Sequence, residues 1–267
     1  MDESNFVEVM PSEIKPKDKR FEKMNIKFLP ELPSTFLILG GCGSGKSSLL
    51  WSLLSKGYVY KSKKGKVKSL FDEMLIFLGT LDGVSSFEKI PVPNKLILTE
   101  FEPVSFQEYQ NELQAHQMER LEKGKPMLNS CIVFDDFFGA NLMKKAKVNG
   151  AAPIEKLCLT SRHLSNCTIF YLSQAYKNSG FASPAIRANI TTLIVCKMAH
   201  AEILKIAEEY SEQYSVEEWV EHYDRAMAAK KFAFVVFDRR RPMNKDRWTI
   251  GFTIPFPPSK KSLQFAS

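Results

Sequence analysis

The stretch "LILGGCGSGKSSLL", Leu37 to Leu50, decides how the rest of this chain is read. It contains G-x-x-x-x-G-K-S from Gly40 to Ser47. The apolar run Phe36 to Leu39 precedes it and an apolar-periodic segment follows, so the order is strand, glycine loop, helix, the context in which the pattern acquires chemical meaning. In such a loop successive backbone N–H groups point inward at phosphate oxygens, and the glycines permit the close approach. The helix after it turns its positive end to the same place. The expected nucleotide-binding set is Gly40, Gly41, Cys42, Gly43, Ser44, Gly45, Lys46, Ser47 and Ser48. Lys46 is expected to reach the β- and γ-phosphates of ATP, and the Ser47 hydroxyl to bind Mg²⁺. A glycine-rich turn without a ligand is the plain alternative.

A second element lies at "CIVFDDFF". Cys131 to Phe134 read as a strand buried on both faces. Carboxylates at its carboxyl end fall where an open α/β sheet binds ligands. Asp135 is expected to hold Mg²⁺ as a Walker B aspartate, and Asp136 to orient or deprotonate the attacking water. The alternative is a pair that only caps the next helix. Gln174 ends the strand "CTIFYLSQ", where a neutral amide can report on the γ-phosphate; a solvated loop glutamine is the competing reading.

Two arginines fit the part of a charge-stabilising group supplied by a neighbouring subunit: Arg162 in "TSRHLSN" and Arg187 in "SPAIRAN". Either can equally be a surface or structural residue. His163 is a hydrogen-bonding partner rather than a metal ligand, since no second histidine stands at a ligand spacing. The runs "KSKKGKVK" (Lys61 to Lys68) and "RRR" (Arg239 to Arg241) could contact the phosphates of a polymer, or be solvated loops.

Composition sets the outer limits. The chain has 267 residues, 44% of them hydrophobic, enough for one large domain with a core. Net charge is +7, a mild basic excess that favours a polyanionic partner without demanding one. The five cysteines form no C-x-x-C pair and sit mostly beside apolar runs, so no zinc site or disulfide framework is expected. There is no signal-peptide core and no membrane-spanning run, so a soluble, intracellular protein is expected.

Residues 1–33 read as a polar N-terminal arm, 34–255 as a P-loop ATPase domain and 256–267 as a C-terminal tail. Further strands are expected at "EMLIFLG", "NKLILTE", "TTLIVCK", "KFAFVVFD" and "WTIGFTI". Helices are expected from Lys46 to about Ser55, over "PVSFQEYQNELQAHQMERLEKGK" as an amphipathic helix stopping at Gly124, over "APIEKLCLTSRHLS", and in two pieces over residues 200–230. Alternating strands and helices mean an α/β fold with a mostly parallel central sheet flanked by helices. The last two strands, joined without a helix, are expected as an antiparallel hairpin at its edge.

Taken together, "GGCGSGKSS", "CIVFDDFF", "SRHLSNCTIFYLSQ" and "PAIRANITTLIV" resemble the genome-packaging ATPases of large double-stranded DNA viruses, the poxvirus-type family within the FtsK/HerA superfamily. The resemblance covers roughly residues 32–197. It implies a RecA-like P-loop NTPase working as a homo-oligomeric ring, a pentamer or hexamer. Such a ring would translocate double-stranded DNA into a viral capsid through its vertex, in the host cytoplasm or a viral factory, or associated with the virion. Carried over by position, Lys46 and Ser47 match Walker A, Asp135 matches Walker B, Gln174 matches the sensor glutamine, and Arg162 fits the trans-acting arginine better than Arg187. The superfamily usually has Asp-Glu where this chain has Asp135-Asp136, one methylene shorter. Three rivals stand beside this reading. A P-loop kinase would need an arginine-rich lid, yet Arg162 is the one arginine between Asp136 and Gln174. A non-catalytic switch would bind without turnover. A cellular or plasmid DNA-pumping ATPase would share the core.

Overall fold

The computed structural model describes residues 18–24, 29–80, 84–136, 148, 152–177, 184–241 and 247–255. Its strands are β1 (Thr35–Leu39), β2 (Val59–Lys61), β3 (Val67–Ser69), β4 (Glu73–Leu78), β5 (Asn94–Leu98), β6 (Ser130–Asp135), β7 (Cys167–Ser173), β8 (Thr192–Cys196), β9 (Phe234–Asp238), β10 (Trp248–Ile250) and β11 (Ile254–Pro255). Its helices are α1 (Lys46–Ser52), α2 (Val84–Glu88), α3 (Pro103–Glu122), α4 (Pro153–Leu164), α5 (Pro184–Asn189), α6 (His200–Tyr210) and α7 (Val216–Ala229). A single π-helical turn, Leu53–Gly57, continues α1.

Nine strands form one sheet in the order β5-β4-β6-β7-β1-β8-β9-β10-β11. From β5 to β8 every neighbouring pair is parallel; β9, β10 and β11 are antiparallel additions. The expected edge hairpin is therefore present as β9 and β10. The glycine-loop strand β1 and the acidic strand β6 are not neighbours, because β7 lies between them. That interposed strand makes the sheet RecA-like.

The alternation of side chains along each strand sorts the apolar residues into two cores. Leu37, Leu39, Phe77, Phe134, Tyr171 and Val195 face the layer containing α3, α4, α6 and α7. Phe36, Ile38, Ile76, Val133, Phe170 and Ile194 face α1. On the first face Phe77, Phe134 and Tyr171 stack across β4, β6 and β7, with ring centroids 5.1 and 5.2 Å apart. This double burial explains why the central strands are continuous apolar runs.

Two expectations need correction. "WTIGFTI" is not one strand: Gly251, at φ +57°, turns the chain so that β11 folds back on β10. The helix α3 is not amphipathic in the ordinary sense. Its buried face carries Phe106, Gln110, Leu113 and Gln117, so two amides lie where apolar residues were expected. Both pair there: Gln110 Nε2 donates to the Pro153 carbonyl at 3.0 Å, and Gln117 Nε2 to the carbonyls of Leu128 and Ser165, each at 2.9 Å. Gln117 Oε1 accepts from Leu128 N–H at 2.8 Å. "KSKKGKVK" spans most of the β2–β3 hairpin, with residues 62–66 forming its turn. Phe137 and Phe138, residues 1–17, the centre of the loop after "RRR" and residues 256–267 lie outside the described residues.

Of the segment before residue 34, residues 18–24 are tied to the sheet. Arg20 donates two 2.7 Å hydrogen bonds to the Asp72 carboxylate, and Asp18 accepts from the Asn129 amide at 2.8 Å. Replacing Gln117 by Ala removes three hydrogen bonds and leaves buried backbone groups without partners. The expected loss of stability is about 3 kcal/mol, read as a lower urea midpoint at unchanged slope. A loss below about 0.5 kcal/mol would mean that these groups are satisfied otherwise.

Candidate active site

The glycine loop is held by its neighbours on both sides. Gly40 N–H donates to the Ser173 carbonyl at 3.1 Å, and Gly41 N–H to the Lys197 carbonyl at 2.9 Å. A Cβ at Gly40 would stand 2.4 Å from Ser44 Oγ and 2.8 Å from Cys196 Cβ, so no side chain fits there. Gly45 has φ +92° and caps α1 with no side-chain hydrogen bond. The first N–H groups of the helix are thereby left for an anion.

Lys46 is the first residue of α1 and is only 5% exposed. Its Nζ lies 3.3 Å from the Gly41 carbonyl and 3.7 Å from Asp136 Oδ2. One residue on, Ser47 Oγ donates to Asp135 Oδ1 at 3.1 Å. Asp136 follows β6 with φ +45°, a left-handed conformation that costs a non-glycine residue about 1–2 kcal/mol. The bend carries its carboxylate back over the loop, where it also accepts from Gln174 Nε2 at 3.2 Å. Lys46, Ser47, Asp135, Asp136 and Gln174, expected from sequence to act together, are thus brought together. Gln174 is exposed but is not a mere loop residue, because its amide is fixed on Asp136.

Ser47, Asp135, Asp136 and Gln174 line an open cleft of about 820 Å³ with Ser48, Trp51, Ser52, Thr80, Ser86 and Phe87. The last five were not singled out in the sequence. Trp51 and Ser52 could have been, since they stand one turn beyond Ser47 and Ser48 on α1. Thr80, Ser86 and Phe87 reach the cleft only through the placement of β4 and α2. Trp51 Nε1 donates to the Ser86 carbonyl at 3.1 Å and so joins the two walls.

The residues fit a magnesium-bound nucleoside triphosphate. Ser47 Oγ and Asp135 Oδ1 offer two adjacent hard oxygen ligands. Among the described residues no cluster of three or more His, Cys, Asp or Glu can hold a metal. Mg²⁺ needs none, since it is commonly held by one or two carboxylates, waters and substrate phosphates.

The arginines behave differently. Arg162 is in the last turn of α4, just before β7 begins. The glycine loop adjoins the other end of β7, roughly 20 Å away by strand length. Arg162 is half-buried and has no hydrogen bond or ion pair among the described residues. It lies close to Arg240, whose guanidinium is held below its usual range mainly by burial, with the like charge of Arg162 adding to the effect. Arg187, in contrast, pairs with Glu209 at 3.4 Å and sits 5.7 Å from the Tyr176 ring centroid. His163 is exposed. The "RRR" run is structural: Arg239 donates to the Ala188 carbonyl, Arg240 to the Pro33 and Glu31 carbonyls, and Arg241 pairs with Asp238.

Fold and site together define a P-loop NTPase with a RecA-like sheet. No family model and no curated protein matches the chain. Among solved structures it is similar to EssC (ATPases 2 and 3) from Geobacillus thermodenitrificans, at 14% identity over 65% of this chain and 34% of that chain, with TM-score 0.46. It is also similar to the genome packaging NTPase of Sulfolobus turreted icosahedral virus 2 in complex with ATP-γS, at 15% identity over 81% of this chain and 95% of that chain, with TM-score 0.46. A KaiC-like protein from Pyrococcus horikoshii OT3 is similar at 15% identity over 62% and 72%, with TM-score 0.36. The chain spans about a third of the EssC structure. The site's own residues, rather than these likenesses, carry the chemistry.

Burial raises the Asp135 carboxyl to about 6; its Ser47 hydrogen bond opposes this, the Asp136 charge adds to it and the Lys46 charge opposes it. A folded-state pKa above the unfolded value of about 3.9 means that protonated Asp135 favours the fold below that value. The advantage is lost as pH rises through about 6. Without Mg²⁺, Asp135→Asn is therefore expected to be more stable than the parent at pH 7.5, by on the order of 3 kcal/mol. The gap should close as the pH falls from about 6 toward 4. Thermal melts across that range check this. A gap independent of pH would show that Asp135 is not a strained carboxylate.

Proposed function

We propose that this chain is an ATP-hydrolysing motor that moves double-stranded DNA into a viral capsid, working as a ring of identical subunits. The observation that carries the reading is a cleft complete except for one group. Lys46, Ser47, Asp135, Asp136 and Gln174 assemble in one chain, yet among the described residues no arginine lines their cleft. Arg162, unpaired among the described residues, stands a strand length away, at the opposite end of the sheet, where its own nucleotide is out of reach. In a ring, one subunit's far end can face the next subunit's cleft. Arg162 is then supplied in trans, and the resemblance to packaging ATPases fits that arrangement. Arg187, committed to Glu209, is the weaker candidate.

Bound Mg·ATP would supply the phosphoanhydride to be cleaved and the cation that neutralises its charge. Ser47 and Asp135 would hold the cation. The Lys46 ammonium would draw charge from the transferring group. Asp136 would accept the proton of the attacking water, while the Gln174 amide holds that carboxylate and orients the water. Because Gln174 follows β7 and Arg162 precedes it, one strand joins the hydrolysis site to the end of the subunit that would touch its neighbour.

The test is mixing. Arg162→Ala subunits and Lys46→Ala subunits should each be nearly inactive alone, since an arginine finger contributes roughly a thousandfold or more. Combined, some intact clefts face an intact Arg162 and DNA-stimulated hydrolysis should partly return. If Arg187→Ala complements in its place, the finger is Arg187. If both arginine variants hydrolyse ATP normally, the ring reading fails and the kinase or switch gains.

The polymer contact suggested by this reading is the β2–β3 hairpin. Lys61, Lys63, Lys64, Lys66 and Lys68 are all exposed on it, and none has an ion pair among the described residues. A two-stranded ribbon of this kind fits a duplex groove. Replacing Lys63, Lys64 and Lys66 by Ala should weaken duplex binding and lower the slope of log affinity against log salt by about one for each lysine that contacts a phosphate. ATP hydrolysis without DNA should not change. An unaltered slope would place the DNA elsewhere.

A further inference from the structure

A separate hollow of about 230 Å³ lies beside the glycine loop, lined by Ser44, Gly45, Ser48, Leu49, Cys196, Phe232 and neighbours. It shares only Ser48 and Ser52, on α1, with the catalytic cleft. It is too small for a whole nucleotide and is mostly apolar, unlike the cleft that holds the acidic pair and Gln174. Its wall includes Phe232, which sits in the turn between α7 and β9.

Phe232 is unusual in three ways. It is 59% exposed, although most large aromatic side chains here are buried. Its φ is +62°, a left-handed conformation that a bulky residue adopts only when its surroundings impose it. Its ring stands 3.2 Å from where a Cβ at Gly45 would be, directly beside the residue that precedes Lys46. The ring also borders another hollow, of about 240 Å³, so it is not wedged into the core. The Lys231 ammonium lies 5.1 Å from the ring centroid. An exposed aromatic face is thus held, at a cost in backbone strain, next to a phosphate-binding loop.

We propose that Phe232 is the stacking platform for the nucleobase of the bound nucleotide, with Leu49 and Phe234 forming the apolar wall. This rests on the P-loop reading of Lys46 and needs neither a ring nor DNA. Stacking on an aromatic face recognises a flat π-system and tolerates different bases. The side-chain hydroxyls lining the hollow are those of Ser44, Ser48 and Ser52 and the rest of its lining is mostly apolar, so the hollow measures ring area more than the pattern of donors and acceptors. The preference expected is for purine over pyrimidine triphosphates, with ATP and GTP close together. Gly45 gains a second reason to be glycine, because a side chain there would press on Phe232.

The experiment is calorimetric titration of the full chain, with Mg²⁺, using three probes: the β,γ-imido analogue of ATP, the same analogue of GTP, and inorganic tripolyphosphate. Phe232→Ala should weaken both nucleotide analogues roughly tenfold, within the range of one base–aromatic stack, and leave tripolyphosphate affinity unchanged. Phe232→Trp should keep nucleotide affinity. Should Phe232→Ala fail to fold, Phe232→Leu retains an apolar side chain without a ring and should show the same selective loss. Equal weakening of all three probes would make Phe232 a structural support, and no weakening would leave the base elsewhere; either result overturns the proposal. Lys46→Ala separates it from its premise. If that variant binds tripolyphosphate as well as the parent does, the P-loop reading fails, whatever Phe232 does.

Discussion

The hydrogen bond from Ser47 to Asp135 joins residues 88 apart in sequence, on elements that are not neighbours in the sheet. Ser47 follows β1, Asp135 ends β6, and β7 lies between. Two inter-strand spacings, about 10 Å in all, must be bridged before a carboxylate can share a cation with a hydroxyl. The inserted strand keeps that separation and places its own end, Ser173 and Gln174, in the gap. Gly40 is pinned to Ser173, and Gln174 reaches Asp136. Remove β7 from the centre and the glycine loop, the acidic pair and the glutamine lose their common origin.

The site carries strain in two forms. Asp135 is a carboxylate in a place that favours its neutral form, and Asp136 has a backbone that favours glycine. Each is tolerable because a rigid two-sided core surrounds the end of β6. Both make sense where a cation and a water must be met by fixed groups rather than by mobile ones. The two ends of the sheet also differ in character. The carboxyl end holds the nucleotide machinery. The amino end holds Arg162, the Arg20–Asp72 pair and the structural arginines. The chain thus has the residues of its cleft at one end and, at the other, an Arg162 that is unpaired among the described residues.

Charge runs and apolar patterns differ in how far they can be read. "KSKKGKVK" and "RRR" look alike as sequence. In the fold, the lysines are exposed on a hairpin, while the arginines are bound to carbonyls of Glu31, Pro33 and Ala188 and to Asp238. Nothing local distinguishes them, because the partners of the arginines lie 50 to over 200 residues away in three of those contacts. The same holds for Gln110 and Gln117, polar side chains that are buried because their carbonyl partners lie 43 and 48 residues away.

What the sequence determined by itself was the glycine loop, the central strands, the acidic pair and the chemistry open to Lys46, Ser47, Asp135, Asp136 and Gln174. Those signals are local: a fixed spacing, an unbroken apolar run, a polar residue at a strand end. The tertiary structure alone decided that β7 separates β1 from β6, that Gln174 bonds to Asp136, that Arg187 is paired while Arg162 has no partner among the described residues, and that Phe232 stands beside Gly45. It also decided that the last apolar segment breaks at Gly251. Each of these depends on which strand pairs with which, or on a backbone angle imposed by packing. A side chain's neighbours across a sheet are set by the whole chain's competition for burial, so they are not written in the residues on either side of it.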